Sequence, residues 1–254
     1  MSYPNYPIDF DASPILTAAL RLQNQKLPSA PTWLIFCPQA SLLKHAVKRW
    51  RGKPVAGFFG ETYLLAKSKN RVAVAGKFGV GAPVVAVLVE EFAVWGAANF
   101  VLLGVAGGLQ PTLQTGDLVL ADTAVRDEGT SHHYLPPAKT VAASTKLSAK
   151  LETAVHTAEL SCHTGTTWTT DALYRETAVA VQHYQKIGVQ TVEMEAAALF
   201  AVAQHCQVEA SALLAVSDSL AHGVWQPAKE PHVATIQLIR AFDAIVQTAT
   251  EAGE

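Results

Sequence analysis

The stretch VAVAGKFGVGAPVVAVLVEEFAVWGAANFVLLGVAGG, residues 72–108, decides the fold class of this chain. It begins with a short apolar run and continues into a glycine-rich turn. A helical pattern follows, which begins just inside Pro83. A second apolar run then ends at a second glycine-rich turn. Two apolar runs of strand length on either side of a helical pattern predict a βαβ unit with parallel strands.

The same alternation continues on both sides of this unit. It predicts a three-layer α/β/α sandwich with a central, twisted, mixed and largely parallel sheet. We expect one domain over residues 1–254, of which residues 1–31 form an N-terminal extension. Further strands are predicted at 33–37, 63–66, 117–125, 191–194 and 210–218, and further helices at 41–50, 146–158, 177–187, 195–204 and 231–249.

Composition excludes several classes of function. The net charge is −2 and only 16% of residues are charged, whereas a nucleic-acid binder usually carries a basic stripe. No apolar run approaches the roughly 18 residues of a membrane span, and the N-terminus lacks the features of a secretory signal. Cys37, Cys162 and Cys206 show neither metal-ligand nor disulfide spacing. We therefore expect a cytoplasmic protein without a metal.

Two glycine-rich turns follow predicted strands, where α/β sheets bind their ligands. They cover residues 76–83 and 104–110. Glycines let a backbone approach a ligand closely, and the N–H groups at the start of the following helix suit an anion. Either turn could instead simply need a positive φ.

Three acidic side chains also lie at strand ends. Glu193 and Glu195 bracket Met194 between an apolar strand and an apolar helix, and one carboxylate there could accept hydrogen bonds from a sugar diol. A helix N-terminus also favours acids without any ligand. Asp218 directly follows a buried strand, where it could act as a general acid or as a turn cap.

The loop at residues 125–137 contains two adjacent histidines. Because no third ligand lies at a useful spacing, His132 and His133 are interpreted as hydrogen-bonding or interface residues rather than metal ligands. A serine hydrolase receives little support, since the chain lacks a G-x-S-x-G elbow.

Taken together, four motifs in order resemble the nucleoside phosphorylase family. This family includes uridine phosphorylase, hexameric purine nucleoside phosphorylase and the methylthioadenosine nucleosidases. The motifs are GVGAP (79–83), GGLQPTLQTGDLVLADTAVRDEGTSHHYLPP (107–137), TTDALYRET (169–177) and VEMEAAALFAVA (192–203). The second motif looks closest to uridine phosphorylase-like members. The resemblance implies cleavage of the N-glycosidic bond of a nucleoside, without a metal or organic cofactor.

The resemblance also implies roles for particular residues. Glu195 and Met194 would line the ribose, with Glu193 beside them, and Asp218 would protonate or hydrogen-bond the base. The floor near the sugar and phosphate would be formed by the two glycine turns, and the base would be flanked by the third motif. The residues implied in these two places are Gly79, Gly81, Gly104 and Gly107 in the turns, and Thr170, Leu173 and Tyr174 in the motif.

The family's phosphate-binding arginines have no counterpart in this chain. Pro38 and Leu42 stand where the first glycine and arginine would fall, and Leu102 stands where the second arginine would. A third arginine, from a neighbouring subunit, would fall near Gly60. Each charge-assisted bond to phosphate contributes about 1.5–3 kcal/mol. We therefore expect ordinary phosphate binding to be lost unless another cation compensates, and the candidates are Lys77, Arg126 and Arg175.

Three functions remain open from the sequence. The first is phosphorolysis to free base and pentose 1-phosphate in nucleoside salvage, with inorganic phosphate as co-substrate. The second is hydrolysis by a nucleosidase that uses water, and the third is non-catalytic nucleoside binding. The resemblance further implies a homo-oligomer, as a dimer, trimer or hexamer. The composition predicts no nucleic-acid or membrane partner.

Overall fold

In the computed structural model, which describes residues 8–10, 12–230 and 232–251, one mixed β-sheet runs through the chain. Its strands are Trp33–Phe36 (β1), Gly52–Val55 (β2), Glu61–Leu65 (β3), Val72–Gly76 (β4), Asn99–Gly108 (β5), Leu118–Asp127 (β6), Thr140–Ala142 (β7), Cys162–Thr170 (β8), Thr191–Glu193 (β9), Glu209–Ser219 (β10) and Gln226–Pro227 (β11).

The longest ladders of this sheet are parallel, as the sequence predicts. β5 pairs with β10 along its whole length, and β6 pairs with β8 in the same way. β1 lies between β4 and β5, parallel to both, while β2 and β3 add an antiparallel edge. The βαβ unit is therefore confirmed, with β1 inserted between its two strands.

Part of the sheet closes on itself, which the sequence did not predict. β5 pairs with β10 and β9, β10 pairs with β6, and β8 joins β6 to β9. This ring brings the ends of β5, β9 and β10 together at one mouth. Closure also removes the open edges that these strands would otherwise present to solvent.

Helices cover both faces of the sheet. They are Ala18–Leu22 (α1), Ala40–Arg49 (α2), Ala82–Trp95 (α3), Thr145–Thr157 (α4), Ala178–Lys186 (α5), Ala196–His205 (α6) and His232–Glu251 (α7). None of these described helices is both long and apolar enough to cross a membrane.

Two apolar cores lie on opposite faces, because strand side chains alternate in direction. Leu34 and Phe36 of β1 join α3 and α6 in one core. Trp33 and Ile35 of the same strand join α2, α4 and α7 in the other. The expected three layers are therefore present.

Strand β8 is the largest element that the sequence pattern did not reveal. Its sequence, CHTGTTWTT, contains few apolar residues and its first half is partly exposed. The threonines still suit a strand because β-branched side chains fit an extended backbone. The short strands β2, β7 and β11 were not predicted either, because each is too short to show an alternating pattern of apolar residues.

The described part of the N-terminal extension packs on α3. The side chain of Thr17 caps α1. Arg21 lies with its Nε 2.9 Å from Oε1 of the buried Glu91, and its Nη1 donates a hydrogen bond to the Gly57 carbonyl. Burial raises the pKa of Glu91, and the Arg21 charge opposes that shift. Arg21 therefore compensates a carboxylate that lies inside the protein.

We predict that Arg21→Ala lowers the free energy of unfolding by about 2 kcal/mol, because it leaves the Glu91 carboxylate buried without its cation. Urea denaturation measures this loss. The double variant Arg21→Ala/Glu91→Gln should recover part of the lost stability, since it also removes the buried charge that has no cation beside it. Arg175→Ala, at an exposed arginine, is the control. Equal stability of Arg21→Ala and wild type would contradict the prediction.

Candidate active site

A cleft of about 210 Å³ opens beside β5, where β1, β9 and β10 end. This volume is below the roughly 300–1,000 Å³ of pockets for drug-sized ligands, so the cleft suits a small molecule. It is lined by Pro38, Gln39, Val80, Leu102, Gly104, Val105, Ala106, Gly107, Leu173, Glu176, Val192, Glu193, Met194, Glu195, Leu214, Ser217, Asp218 and Leu220.

The charge of the cleft is entirely negative within the described part of the chain. Four carboxyl groups line it, from Glu176, Glu193, Glu195 and Asp218, and no described Lys, Arg or His does. Such a lining favours positive charge in a bound molecule and opposes a bound anion.

Glu193 is held by hydrogen bonds at the start of α6. Its Oε2 accepts from the backbone N–H groups of Glu195 and Ala196, both at 2.7 Å. Its Oε1 accepts from the Thr169 hydroxyl at 2.6 Å, and the Thr169 oxygen itself accepts from the Ala197 N–H. Burial, then the Glu195 charge, raises the pKa of Glu193. Glu193 therefore caps α6 and fixes the β9–α6 junction.

Glu195 has a different environment although it is only two residues away. Its Oε1 accepts a hydrogen bond of 2.6 Å from the backbone N–H of Gly81, at the start of α3. Burial raises its pKa, and the Gly81 hydrogen bond opposes that shift. Gly81 has φ +102°, a conformation that strongly favours glycine. The first glycine turn thus holds Glu195 at the wall of the cleft.

Asp218 lies on another wall of the cleft, at the end of β10. The β5–β10 register shifts between Val216 and Asp218, which produces a bulge at Ser217. The Asp218 Oδ1 accepts from the Ser217 hydroxyl at 2.6 Å, and its Oδ2 accepts from the Trp225 Nε1 at 2.8 Å. Two donors therefore fix this carboxylate.

Gly107 allows β10 and β9 to approach β5 closely beside Asp218. A Cβ at this position would lie 2.6 Å from Leu220 Cδ1 and 3.1 Å from Val192 Cγ1. A side chain there would push these neighbours apart and fill the cleft.

The cleft contains most of the residues expected to bind the nucleoside, but not all of them. Gly104, Leu173 and Met194 line it together with the residues described above. Thr170 is buried and its hydroxyl accepts from the Ala172 N–H, so it stabilises a turn instead. Tyr174 is 96% exposed and does not line the cleft.

The three cations expected to replace the phosphate arginines do not line the cleft of this chain. The Lys77 Nζ lies 2.8 Å from Glu61 Oε1. Arg175 is exposed on a turn. Arg126 is buried, and its guanidinium donates to Ser131 Oγ and to the carbonyls of residues 131, 135 and 136. It stabilises the loop after β6, so its position does not support the expected phosphate contact.

The first glycine turn contacts the cleft through different residues from those expected. Gly79 has φ +91° and does not itself line the cleft, whereas Val80 does. The turn contributes through the Gly81 N–H and the Val80 side chain.

Glu176, Ser217 and Gln39 line the cleft but were not identified from the sequence. Glu176 follows the 3₁₀ turn Leu173–Arg175 and precedes Thr177, the N-cap of α5. Burial, then the Asp218 charge, raises the pKa of Glu176 to about 7. Gln39 follows β1, and its buried Oε1 has no hydrogen-bond partner among the described residues. The motif TTDALYRET contains Glu176, so its acid could have been considered.

Comparison with known proteins agrees with this geometry. The model of one family, the phosphorylase superfamily, matches residues 40–251. The chain belongs to this superfamily.

The chain is similar to curated members of the superfamily that are phosphorylases of nucleosides. It is 31% identical to a guanosine phosphorylase of Halorubrum lacusprofundi over 57% of this chain and 60% of the relative. It is 31% identical to a uridine phosphorylase of Thermococcus kodakarensis over 54% of each protein. It is also 31% identical to a DeoD-type purine nucleoside phosphorylase of Caldanaerobacter subterraneus over 73% of this chain and 80% of the relative. The matches thus span between about half and four fifths of these relatives.

In this phosphorylase superfamily member, we predict that Glu193→Ala lowers the free energy of unfolding by about 3 kcal/mol, because it leaves buried N–H and O–H donors unpaired. Glu193→Gln should cost less, since the amide oxygen can still accept from the two backbone N–H groups. Chemical denaturation measures both. Glu152→Gln, at an exposed site on α4, should leave stability unchanged. A Glu193→Ala protein as stable as wild type would remove the capping role.

Proposed function

We propose that this protein cleaves the N-glycosidic bond of a nucleoside by phosphorolysis, releasing free base and a pentose 1-phosphate in nucleoside salvage. The observation that carries this proposal is the pair of fixed carboxylates, Glu195 and Asp218, in one small cleft. The guanosine, uridine and purine nucleoside phosphorylases among the relatives support the reaction type.

Glu195 serves the sugar in this proposal. The Gly81 N–H holds its Oε1, which orients the carboxylate so that it can accept hydrogen bonds from ribose hydroxyls. Met194, the neighbouring lining residue, supplies an apolar surface for the sugar ring. Hydrogen bonds from the ribose hydroxyls to this charged acceptor would bind the sugar and orient its reacting carbon.

Asp218 and Leu173 serve the base. Leu173 contributes an apolar surface, and Asp218 contributes a hydrogen-bond acceptor or proton donor for the polar edge of the ring. The two donors that fix Asp218 keep it in a defined position without blocking its access to the cleft.

Bond cleavage develops positive charge on the sugar, which becomes oxocarbenium-like in the transition state. The carboxylates of the cleft stabilise that charge because they are fixed and partly removed from water. The nucleophile attacks the anomeric carbon directly, so the proposed reaction requires no metal or organic cofactor. The three cysteines are free, which supports a reducing, cytoplasmic setting.

Hydrolysis is the second candidate, and one specific observation favours it. No described Lys or Arg lines the cleft, although a phosphate dianion normally binds through cations or several N–H groups. The Gly81 N–H, one such group, already donates to Glu195. Water needs no compensating charge. Phosphorolysis therefore implies a homo-oligomer in which a second copy supplies a cation.

The deciding experiment incubates the purified protein with guanosine, inosine, adenosine and uridine, with and without inorganic phosphate, and identifies the sugar product. We expect pentose 1-phosphate, formed only when phosphate is present. Free ribose formed at the same rate without phosphate would replace phosphorolysis by hydrolysis. Binding of a nucleoside without any turnover would overturn both reactions and leave a binding protein.

We predict that Glu195→Ala reduces kcat/KM for the best nucleoside by at least about 10²-fold, because it removes a fixed charged contact to the sugar. Steady-state kinetics measures the loss, and circular dichroism checks that the fold persists. Glu152→Gln is the matched control and should retain full activity. Wild-type kinetics in Glu195→Ala would disprove the assignment of the sugar end.

A further inference from the structure

The four carboxyl groups of the cleft differ in the hydrogen bonds that they accept. Glu193 accepts three, Asp218 accepts two and Glu195 accepts one from Gly81. No described residue donates a hydrogen bond to the Glu176 carboxyl group, which also lines the cleft. Glu176 therefore has its full hydrogen-bonding capacity available to a bound molecule.

The surroundings of Glu176 favour a bound proton. Its neighbours in the cleft are Asp218 on β10 and the pair Glu193 and Glu195 at the β9–α6 junction, and none of the described lining residues is a cation. Burial raises the pKa of Glu176 first, and the Asp218 charge raises it further, to about 7. A group with a pKa near neutrality can both hold and release a proton during turnover.

Asp218 differs from Glu176 in that donors already occupy both of its oxygens. The Ser217 hydroxyl and the Trp225 indole N–H point at it, so it acts as an acceptor in the unliganded cleft. Two neighbouring acids in such different environments commonly take different roles, one as proton donor and the other as hydrogen-bond acceptor.

We propose that Glu176 is the general acid that protonates the leaving base, while Asp218 remains an acceptor that holds the base's polar edge. This inference rests on the proposed function, and it moves the proton donor from Asp218 to a residue that the sequence did not identify. The base end would then bind through one donor and one acceptor.

In the proposed step, the C1′–N bond breaks and its electron pair moves onto the base. The Glu176 O–H transfers its proton to a ring nitrogen or carbonyl oxygen conjugated with that nitrogen. An oxygen of phosphate, or of water, forms the new bond to C1′, and the proton that this nucleophile loses goes to solvent. The base leaves neutral, and the Glu176 carboxylate takes up a proton from solvent before the next turnover.

The test compares Glu176→Gln with wild type on nucleosides whose bases need a proton to different extents. Guanosine and uridine carry ordinary leaving groups. 7-Methylguanosine and 5-fluorouridine carry bases that leave more readily without protonation. We expect Glu176→Gln to lower kcat by about 10²–10⁴-fold on the ordinary member of a pair. The loss on the activated member should stay within about threefold.

The pH profile gives a second readout. Wild-type kcat on the ordinary nucleoside should fall as the pH rises through about 7, because the acid form of Glu176 disappears. Glu176→Gln should lack that limb, and the control Glu152→Gln should keep it. Equal losses on both members of a pair, or an unchanged pH profile, would overturn the assignment.

Thermal unfolding tests the protonated state of Glu176 without any substrate. A raised folded pKa means that stability is lost as the pH rises from the usual glutamate range through about 7. Glu176→Gln should therefore melt higher than wild type at pH 8.5 and similarly at pH 5. A melting difference that does not change with pH would overturn the proposal.

The outcomes also separate this inference from the proposed function. If wild type cleaves no nucleoside with or without phosphate, the proposed function fails and the role of Glu176 fails with it. If wild type cleaves a nucleoside but Glu176→Gln shows the same leaving-group dependence, only the role of Glu176 fails.

Discussion

The hydrogen bond from the Gly81 N–H to Glu195 joins the starts of α3 and α6 at one point of the cleft. A carboxylate in a site from which water is largely excluded requires a donor, because its desolvation would otherwise cost several kcal/mol. Here the donor is a backbone group at a helix N-terminus, where the dipole also favours negative charge. The contact depends on the positive φ of Gly81 and on the bend between β9 and α6. One glycine turn, the β9–α6 bend and one acid therefore define the proposed sugar end together.

The two glutamates of this junction show how one local sequence can serve both structure and binding. From the sequence, a helix cap and a sugar ligand were competing interpretations of the same acids. In the structure the helix cap is Glu193, and the proposed sugar contact is assigned to Glu195. The Glu193 oxygens accept hydrogen bonds from Thr169 and from the first N–H groups of α6, whereas Glu195 lines the cleft. Capping by Glu193 and Thr169 leaves Glu195 available, because these two side chains already accept from the first N–H groups of α6.

Sequence patterns could predict the parts of the fold that depend on continuous apolar runs. The buried strands β1, β4, β5 and β10 were identifiable for this reason. β8 was not, because it contains few apolar residues, although its second half is buried. The ring closure was also not predictable, since it depends on which distant strands pair.

Within the site, Glu195 and Asp218 were predictable from their positions at strand ends. Glu176 was not, because its importance depends on burial beside Asp218, which appears only after the turn at residues 173–175 folds back. Arg126 shows the reverse case, a charge that seemed functional and proved to stabilise a loop.

In the proposed function, the charge of the cleft links the choice of nucleophile to oligomerisation. A lining of four carboxyl groups stabilises an oxocarbenium-like sugar, but the same charges repel a phosphate dianion. Protonation of Glu176 would reduce that repulsion by one charge at the base end, which is also where a leaving base needs its proton. The sugar end keeps its negative charge on Glu195. Phosphate can approach there only if positive charge arrives from outside the described cleft lining, and a second copy of the chain can provide it. Water needs no such partner. A monomeric form of this protein would therefore favour hydrolysis, and an oligomer with a cation at the cleft would favour phosphorolysis. The same negative charge thus governs both the choice of nucleophile and the need for a second copy.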